Sequence, residues 1–392
     1  MRILLLNRYS LERTTGGVAE FLHYLPLVLK SHGIHTVAYN EDESHSGKLQ
    51  GPHYSQNGLV AYAGPFIKPG FFVSSKKLKP LLDLCRSEKI DLIHAQGAYR
   101  CGFIALQVFK RIGIPYIVTS HADIVATNSD RMKRKKVQRR CRDALKYAAG
   151  VSHLTPRMAE ISHEICDTRF KNTIIGNGID LAGWQSVLSL PEKKYVLGIG
   201  RLEPEKGFHV LIDAFARLMQ RGVDTSLVIA GSGSAELALQ VRARNLGLRV
   251  ITEAKEFSSL PEQSVIFTGY IRGDLKKQLM AQCQCVLFPT QPSQWEEPFG
   301  IVQIEAMAAG KALVASDSAT TRYLQTFGLQ ALLVKPDDAD DWAGQIQMLL
   351  SDVNLRHEFA KANLSHANQF DWGVVAAQYA KMYANTLGAD DI

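Results

Sequence analysis

The chain has 392 residues, 46% of them apolar, which is ordinary for a globular protein and too long for a single ordinary domain. Its net charge of +7 is uneven: residues 1–183 carry 26 basic and 15 acidic side chains, whereas residues 184–392 carry 19 and 23. No apolar run is long enough to span a membrane, and no two of the six cysteines have metal-binding spacing. These features argue against an integral membrane protein and against a zinc protein.

Short apolar runs alternate with amphipathic segments of helical length along the chain. This alternation predicts βαβ units and parallel sheets. The pattern weakens over residues 181–194, which predicts a linker between two such domains. A last amphipathic helix is predicted over residues 371–387. The predicted strands are residues 3–6, 35–39, 92–94, 116–118, 173–175, 195–199, 227–230, 265–267, 285–288, 312–315 and 331–334.

Two features of the first half lie in loops that follow predicted strands, where parallel sheets bind ligands. Gly16 and Gly17 form a strand-to-helix turn that lets a ligand approach the backbone closely. His121 directly follows the strand at 116–118, a position suited to ligand contact or proton transfer. A plain turn and a structural histidine are the alternatives. The glycines do not form a G-x-G-x-x-G fingerprint, so the sequence does not indicate a nicotinamide cofactor.

A dense basic segment over residues 131–142 holds eight basic side chains in a helical, amphipathic pattern. Such a helix can lie on anionic lipid, and a solvated helix face is the alternative. The candidate contacts are Arg134, Lys135, Arg139 and Arg140. The segment has no interleaved aromatic residues, and the chain has no zinc-finger or RNP-type signature, so we do not expect nucleic acid as a partner.

Two loops in the second half carry sequences that indicate a functional site. The sequence GRLEPEKG at 200–207 follows a predicted strand and places Arg201 and Lys206 where they would grip a diphosphate; pairing with nearby glutamates is the alternative. The sequence EPFGIVQIEAMAAG at 297–310 places Glu297 and Glu305 around a predicted helix start. Free N–H groups at a helix start suit a phosphate or a developing oxyanion, although acidic residues are also favoured there without any function.

These motifs together resemble the retaining, two-domain nucleotide-sugar glycosyltransferases of the GT-B fold. This is the group 1 or family 4 type, to which many bacterial mannosyl- and glucosyltransferases belong. The resemblance implies an α/β fold in which two Rossmann-like, doubly wound parallel-sheet domains face each other across a cleft. The implied domains are residues 1–183 on the acceptor side, residues 184–368 for the nucleotide sugar, and a helix at 369–392 that packs back on the first domain.

The resemblance also implies an activity. The enzyme would move a hexose of the mannose or glucose type from a UDP- or GDP-sugar to a hydroxyl of a glycan or lipid-linked acceptor, with the anomeric configuration kept. It would need no cofactor and no metal. The implied catalytic residues are Glu297, His121, Arg201 and Lys206. The implied donor-binding residues are Gly16, Gly17, Gly231, Ile271, Phe299, Gly300, Ile301 and Glu305.

Alternatives concern both the mechanism and the function. We prefer attack from the leaving-group side, with the departing phosphate taking the acceptor proton; a double displacement through Glu297 is the alternative. A GT-B epimerase or hydrolase and a non-catalytic membrane- or anion-binding protein are the other functional hypotheses. The N-terminal apolar run is too short for a signal-peptide core. We therefore expect a cytoplasmic protein with reduced thiols and peripheral contact at the inner face of the cell membrane, acting in bacterial polysaccharide or lipopolysaccharide synthesis.

Overall fold

The computed structural model describes residues 1–8, 16–42, 49–54, 59–65, 67, 73–121, 132–166, 171–252 and 261–388. The chain forms two compact units, one of Met1–Gly178 with Trp372–Ile392 and one of Ile179–Asp371. The boundaries expected at 183 and 368 thus lie at 178 and 371. The physical reason is that Ile179 is bridged to Asp371 and donates its N–H to the carbonyl of Phe370 at 2.7 Å.

The first unit is built on one mixed sheet. Its strands, within the described residues, are β1 (Arg2–Asn7), β2 (His35–Asp42), β3 (Gln50–Tyr54), β4 (Val60–Pro65), β5 (Leu92–Gln96), β6 (Tyr116–Ser120), β7 (Gly150–His153) and β8 (Asn172–Ile174). Their order is β3-β4-β2-β1-β5-β6-β7-β8, and each neighbouring pair is parallel except β3 with β4. Its helices are α1 (Gly17–Leu29), α2 (Ser75–Ser87), α3 (Phe103–Ile112), α4 (Lys135–Lys146) and α5 (Pro156–Cys166), with the C-terminal helix α14 (Trp372–Leu387).

The second unit is built on a fully parallel sheet. Its described strands are β9 (Tyr195–Ile199), β10 (Ser226–Ala230), β11 (Arg249–Thr252), β12 (Ser264–Phe267), β13 (Cys285–Phe288), β14 (Ala312–Ser316) and β15 (Ala331–Val334), in the order β11-β12-β10-β9-β13-β14-β15. Its helices are α6 (Ala182–Gln185), α7 (Phe208–Gln220), α8 (Glu236–Asn245), α9 (Gly273–Gln282), α10 (Ile301–Ala308), α11 (Ala319–Gln325), α12 (Ala339–Ser351) and α13 (Val353–His366).

Strand β1 shows why the sequence forms sheets covered on both faces. Leu4 and Leu6 belong to one buried cluster, and Ile3 and Leu5 belong to another on the opposite face. A strand buried on both faces must be apolar at every position rather than at alternate ones, which is the pattern of parallel α/β sheets. The prediction of two doubly wound sheets is therefore confirmed.

Four strands were not predicted, namely β3, β4, β7 and β11. The reason is clearest for β3 and β11, which are short edge strands with no buried residue. The pairing of β3 is also antiparallel, so it does not follow the βαβ pattern. Edge strands of this kind are specified by their neighbours more than by their own residues.

Helix α14 packs against α1 in the first unit. The ring of Trp372 stacks on Tyr24 at 5.9 Å between centroids, and Tyr379 and Tyr383 are fully buried. The Tyr383 hydroxyl lies 2.7 Å from Nδ1 of His94, on β5. The helix expected at residues 371–387 thus belongs to the unit that also contains the N-terminus.

The strand order reverses in each sheet at one place, between β1 and β5 in the first unit and between β9 and β13 in the second. In doubly wound sheets the loops at the carboxyl ends of these strands diverge and leave a crevice for ligands. The fold therefore directs attention to the loops after β9 and β13.

Candidate active site

The loop after β9 brings Lys206 to the site. The loop ends in a short 3-10 turn, Pro204–Lys206, before α7. Lys206 forms an ion pair with Glu297, which comes from the loop after β13, and the two side chains are 15% and 12% exposed. The two charged residues are 91 positions apart in sequence, and they meet because β9 and β13 are neighbours in the sheet.

Gly207 allows this meeting. Its φ of +72° is in the left-handed region, and a Cβ atom there would lie 1.8 Å from the carbonyl oxygen of Pro289. Next to this contact, the backbone N–H of Gln291 donates to the carbonyl of Glu205 at 2.9 Å. The loops after β9 and β13 are thus in direct backbone contact, which a residue with a side chain at 207 would prevent.

Helix α10 starts four residues after Glu297, and Gly300 is its N-cap. Gly300 adopts φ +68°, and a Cβ there would lie 2.8 Å from the Phe288 ring. Phe299 is buried with its ring 6.2 Å from that of Phe370, so its side chain belongs to the core and only its backbone is available for a ligand. From Ile301 onward the chain is helical, which leaves the first N–H groups of α10 at this edge of the sheet.

Glu305 lies within α10 and is 5% exposed. Its Oε1 lies 2.5 Å from Nζ of Lys276, on α9. This ammonium compensates the buried negative charge and fixes one carboxylate oxygen. Both predicted site glutamates, Glu297 and Glu305, are therefore held by a lysine.

The loop after β10 is bonded to the loop after β9. The N–H of Leu202 donates to the Ser232 carbonyl at 2.9 Å, and the side chain of Glu203 accepts hydrogen bonds from Ser234. Gly231 has φ +143°, and a Cβ there would lie 1.8 Å from the Gly200 carbonyl oxygen. Arg201 itself is exposed.

Ile271, which the sequence places after β12, is buried. The carbonyl of Gly269, two residues earlier, accepts the N–H of Gly231 at 2.9 Å. The loops after β10 and β12 are therefore joined at the same end of the sheet, as the parallel arrangement of their strands requires.

In the first unit, His121 directly follows β6 and is 8% exposed. Its Nε2 lies 2.8 Å from Oε1 of Gln96, and its ring packs edge-on against Phe21 at 5.1 Å. Burial lowers the pKa of His121 to about 4, so the ring is neutral near neutral pH. Gly16 caps α1 with φ +72°, and Gly17 is the first residue of the helix; residues 9–15 of the same loop lie outside the described residues.

The basic segment forms α4, with Arg134 at its N-cap. Arg134, Lys135 and Arg139 are exposed, as predicted for a basic surface. Arg140 is not part of that surface. It is 7% exposed and its guanidinium lies 5.5 Å from the centroid of the Phe103 ring, because the helix turns this position toward α3. Arg131 lies outside the described residues.

Two side chains that hold predicted residues in place, Gln96 and Lys276, were not predicted from the sequence. Gln96 ends β5, so the rule that sites follow strands would have indicated it. Lys276 lies inside α9 and no local pattern indicates it, since its contact with Glu305 depends on how α9 and α10 pack.

Neither a membrane-spanning helix nor a metal cluster occurs in the described part of the chain. No helix there is both long and apolar enough to cross a bilayer. Within the same residues, no group of three or more histidine, cysteine, aspartate or glutamate side chains is arranged to hold a metal ion.

Family models match both halves of the chain. The model described as "Glycosyl transferases group 1" matches residues 184–366, and the model described as "Glycosyltransferase Family 4" matches residues 15–182. The phosphatidyl-myo-inositol mannosyltransferase of Mycolicibacterium smegmatis is 32% identical over 222 residues, 55% of this chain and 52% of that protein, so the match spans about half of that relative's length. The glycogen synthase of Mycobacterium tuberculosis is 30% identical over 98% of this chain and 94% of its own length.

Solved structures match over the whole chain. Sucrose-phosphate synthase from Thermosynechococcus elongatus has a TM-score of 0.76 at 19% identity and covers 99% of this chain and 100% of its own. HepE from Anabaena in complex with UDP-glucose has a TM-score of 0.74 at 19% identity and covers 98% of this chain and 100% of its own. At such identity these structures show the fold, and they confirm the GT-B architecture.

Proposed function

Because the chain belongs to the group 1 glycosyltransferases, we propose that it moves a hexose of the mannose or glucose type from a UDP- or GDP-sugar to a hydroxyl of a glycan or lipid-linked acceptor. The observation that carries the proposal is the meeting of Lys206 and Glu297 at the switch point of the second sheet, beside the start of α10. A fixed cation and a helix start suit an anionic leaving group, and a carboxylate suits the positive charge that develops on the sugar.

Relatives of two kinds support a hexose donor. The mycobacterial relative is named as a mannosyltransferase, and HepE was solved with UDP-glucose. In this chain, Glu305 would accept hydrogen bonds from the ribose hydroxyls with the carboxylate oxygen that Lys276 leaves available. Gly231 and Ile271 would lie against the rest of the nucleotide.

The diphosphate would be bound by Arg201 and Lys206 together with the first N–H groups of α10. An ammonium carries three N–H donors, so the bond from Lys206 to Glu297 leaves two for phosphate oxygens. Gly16 and Gly17 would supply backbone groups from the first unit. These groups provide the positive charge that the leaving diphosphate needs, and the proposal therefore includes no metal and no cofactor.

The proposed chemistry retains the anomeric configuration. The bond between the anomeric carbon and the diphosphate oxygen breaks, and its electron pair stays on that oxygen. The acceptor hydroxyl oxygen forms the new bond from the same face, and its proton passes to the departing phosphate. Glu297 stabilises the positive charge on the sugar, and His121 contacts the sugar. A covalent intermediate on Glu297 would be the double-displacement alternative.

A peripheral location at the cytoplasmic face of the cell membrane belongs to the same proposal. The exposed basic residues of α4 support it, because a lipid-linked acceptor lies at an anionic surface. Synthesis of a bacterial surface polysaccharide or lipopolysaccharide would use such an acceptor.

The donor is tested by thermal shift of the whole chain with UDP-glucose, GDP-mannose and ADP-glucose. A donor that binds only the folded state raises the melting temperature. At a concentration one hundredfold above its Kd it increases the free energy of unfolding by about 2.7 kcal/mol. No shift with any of the three would count against the proposal.

The transfer step is tested with Lys206→Met. We expect the release of nucleotide to fall at least a hundredfold, because a charge that stabilises the leaving group is lost. Lys194→Met is the matched control, since it breaks an exposed lysine–aspartate pair on the same unit. Nucleotide release that an acceptor does not accelerate would favour the hydrolase or epimerase hypothesis.

A further inference from the structure

Gln96 and His121 form a buried, hydrogen-bonded polar pair at the edge of the first sheet. Gln96 is the last residue of β5, and His121 directly follows β6, the next strand in the sheet. Each is 8% exposed. Two neighbouring loops of the first unit thus present one buried amide and one buried imidazole to each other.

The second hydrogen bond of Gln96 determines which way its amide points. Its Nε2 lies 3.5 Å from the carbonyl oxygen of His94, and its Oε1 lies 2.8 Å from Nε2 of His121. The reversed amide would place two oxygen acceptors against each other at His94 and would lose that bond. The oxygen of Gln96 therefore faces the imidazole and can only accept a hydrogen bond.

A neutral imidazole carries one N–H. Burial lowers the pKa of His121 to about 4, so the ring is neutral near neutral pH. Since the Gln96 oxygen requires a donor, the proton is on Nε2. Among the described residues, Nδ1 of His121 has no hydrogen-bond partner, and in this tautomer it is an acceptor.

We propose that Gln96 is a positioning residue, which holds His121 in the Nε2–H tautomer so that Nδ1 accepts a hydrogen bond from a hydroxyl of the transferred sugar. The inference rests on the proposed function for the identity of the ligand, but the tautomer does not depend on it. His121 would then favour a donor sugar whose hydroxyl reaches Nδ1. Gln96, at the end of the neighbouring strand β5, would hold the ring in the tautomer that this contact needs.

The tautomer is measured directly by nitrogen-15 NMR of the whole chain with labelled histidine, at neutral pH and without ligand. His121→Gln identifies the signal by its loss. We expect wild-type protein to show a protonated Nε2 and a bare Nδ1. A protonated Nδ1 in the wild type would overturn the proposal.

Two variants at position 96 separate the hydrogen bond from the packing. Gln96→Leu removes the acceptor at similar volume, and we expect His121 to shift toward a mixture of tautomers. Gln96→Glu keeps an oxygen acceptor at that place, so the proton on Nε2 should stay, while its negative charge should raise the pKa of His121. Thr119→Val is the matched control: it removes a buried hydroxyl 2.6 Å from Nε2 of His94 on the same strands and leaves both partners of the Gln96–His121 bond in place. Its His121 signals should not change.

The affinity for a nucleotide sugar, compared with that for the free nucleotide, shows whether the His121 tautomer contributes to sugar binding. We expect Gln96→Leu to weaken UDP-glucose or GDP-mannose about tenfold, the worth of one hydrogen bond, and to leave the affinity for UDP or GDP unchanged. Equal loss for the sugar and the free nucleotide would indicate general damage and overturn the proposal, as would an unchanged sugar affinity. If no nucleotide sugar binds the wild type, the proposed function fails while the NMR result still decides the role of Gln96.

Discussion

Two lysine–glutamate pairs hold the carboxylates of the second unit. Lys206 fixes Glu297, and Lys276 fixes Glu305, each with most of both side chains buried. Taking one partner away leaves a buried charge without compensation, which is more damaging than removing the pair together. The structural and functional effects of these residues can therefore be separated by double variants.

The role of Glu305 is tested in this way. Glu305→Ala should weaken donor binding about tenfold to a hundredfold through the lost hydrogen bonds to ribose. It should also destabilise the protein by about 1–3 kcal/mol, because the ammonium of Lys276 loses the carboxylate that compensates its charge. The measurements are calorimetric titration with the nucleotide and thermal unfolding.

The double variant Glu305→Ala/Lys276→Met is the control for this prediction. It should recover most of the lost stability, since the charge that the Glu305 carboxylate compensates is removed together with it. It should not recover donor affinity. Recovery of both properties would show that Glu305 acts only as a structural partner of Lys276.

At the scale of elements, the loops after β9 and β13 are packed together as one unit, because the backbone of Gly207 lies directly against the carbonyl of Pro289. Neither loop carries a complete site. Lys206, which we propose binds the diphosphate, comes from one loop, and Glu297 and the start of α10 come from the other. Any change that separates the loops should therefore impair binding even when every charged residue is kept.

Gly207→Ala is expected to separate them. The added Cβ would clash with the Pro289 carbonyl, and we expect more than about 2 kcal/mol of destabilisation together with loss of donor binding. Gly222→Ala is a matched control, because Gly222 has the same φ of +72° and a Cβ added there would have no atom within 4 Å. It should cost about 1 kcal/mol and leave binding intact. Equal effects at the two positions would mean that the loop contact is unimportant.

The exposed basic residues of α4 lead to a prediction about binding to anionic membranes. Charge reversal at Arg134, Lys135 and Arg139 should weaken binding to phosphatidylglycerol vesicles by roughly a hundredfold, since each basic residue near an anionic surface contributes favourably. The control reverses Lys76, Lys77 and Lys79, which are exposed on α2 and change the net charge equally. If both triple variants lose binding alike, net charge rather than this face governs the interaction.

At the scale of the whole molecule, three of the histidines described in the first unit are buried. Burial lowers the pKa of His94 to about 3, of His121 to about 4 and of His153 to about 3. The unfolded chain takes up a proton on each near pH 6.5, whereas the folded chain does not until the pH is far lower. The stability associated with these groups is thus fully present above about pH 6.5 and is lost as the pH falls toward about 4 to 3.

Urea unfolding between about pH 7 and pH 4.5 checks this dependence. Each buried histidine should contribute a slope of about 1.4 kcal/mol per pH unit in the lower part of that range. His94→Gln should reduce the slope by the contribution of one group. His357→Gln replaces an exposed histidine and should leave it unchanged. A wild-type stability that does not fall with pH would contradict the neutral burial of these rings.

The sequence was sufficient for the architecture and for the motif positions. Short continuous apolar runs such as residues 3–6 are typical of strands covered on both faces, and their alternation with helices indicates parallel sheets. The rule that sites follow strands then indicated Lys206, Glu297 and His121 without any tertiary information. Their proposed roles stay predictions.

Only the tertiary structure decided which side chains meet. The residues that hold the site, Lys276 and Gln96, are far in sequence from the residues they contact, and helix packing or strand order brings each pair together. The burial of Arg140 depends in the same way on the ring of Phe103, which lies on another helix. Local periodicity specifies which face of an element is apolar, but the partner on that face is chosen by the packing of the whole domain.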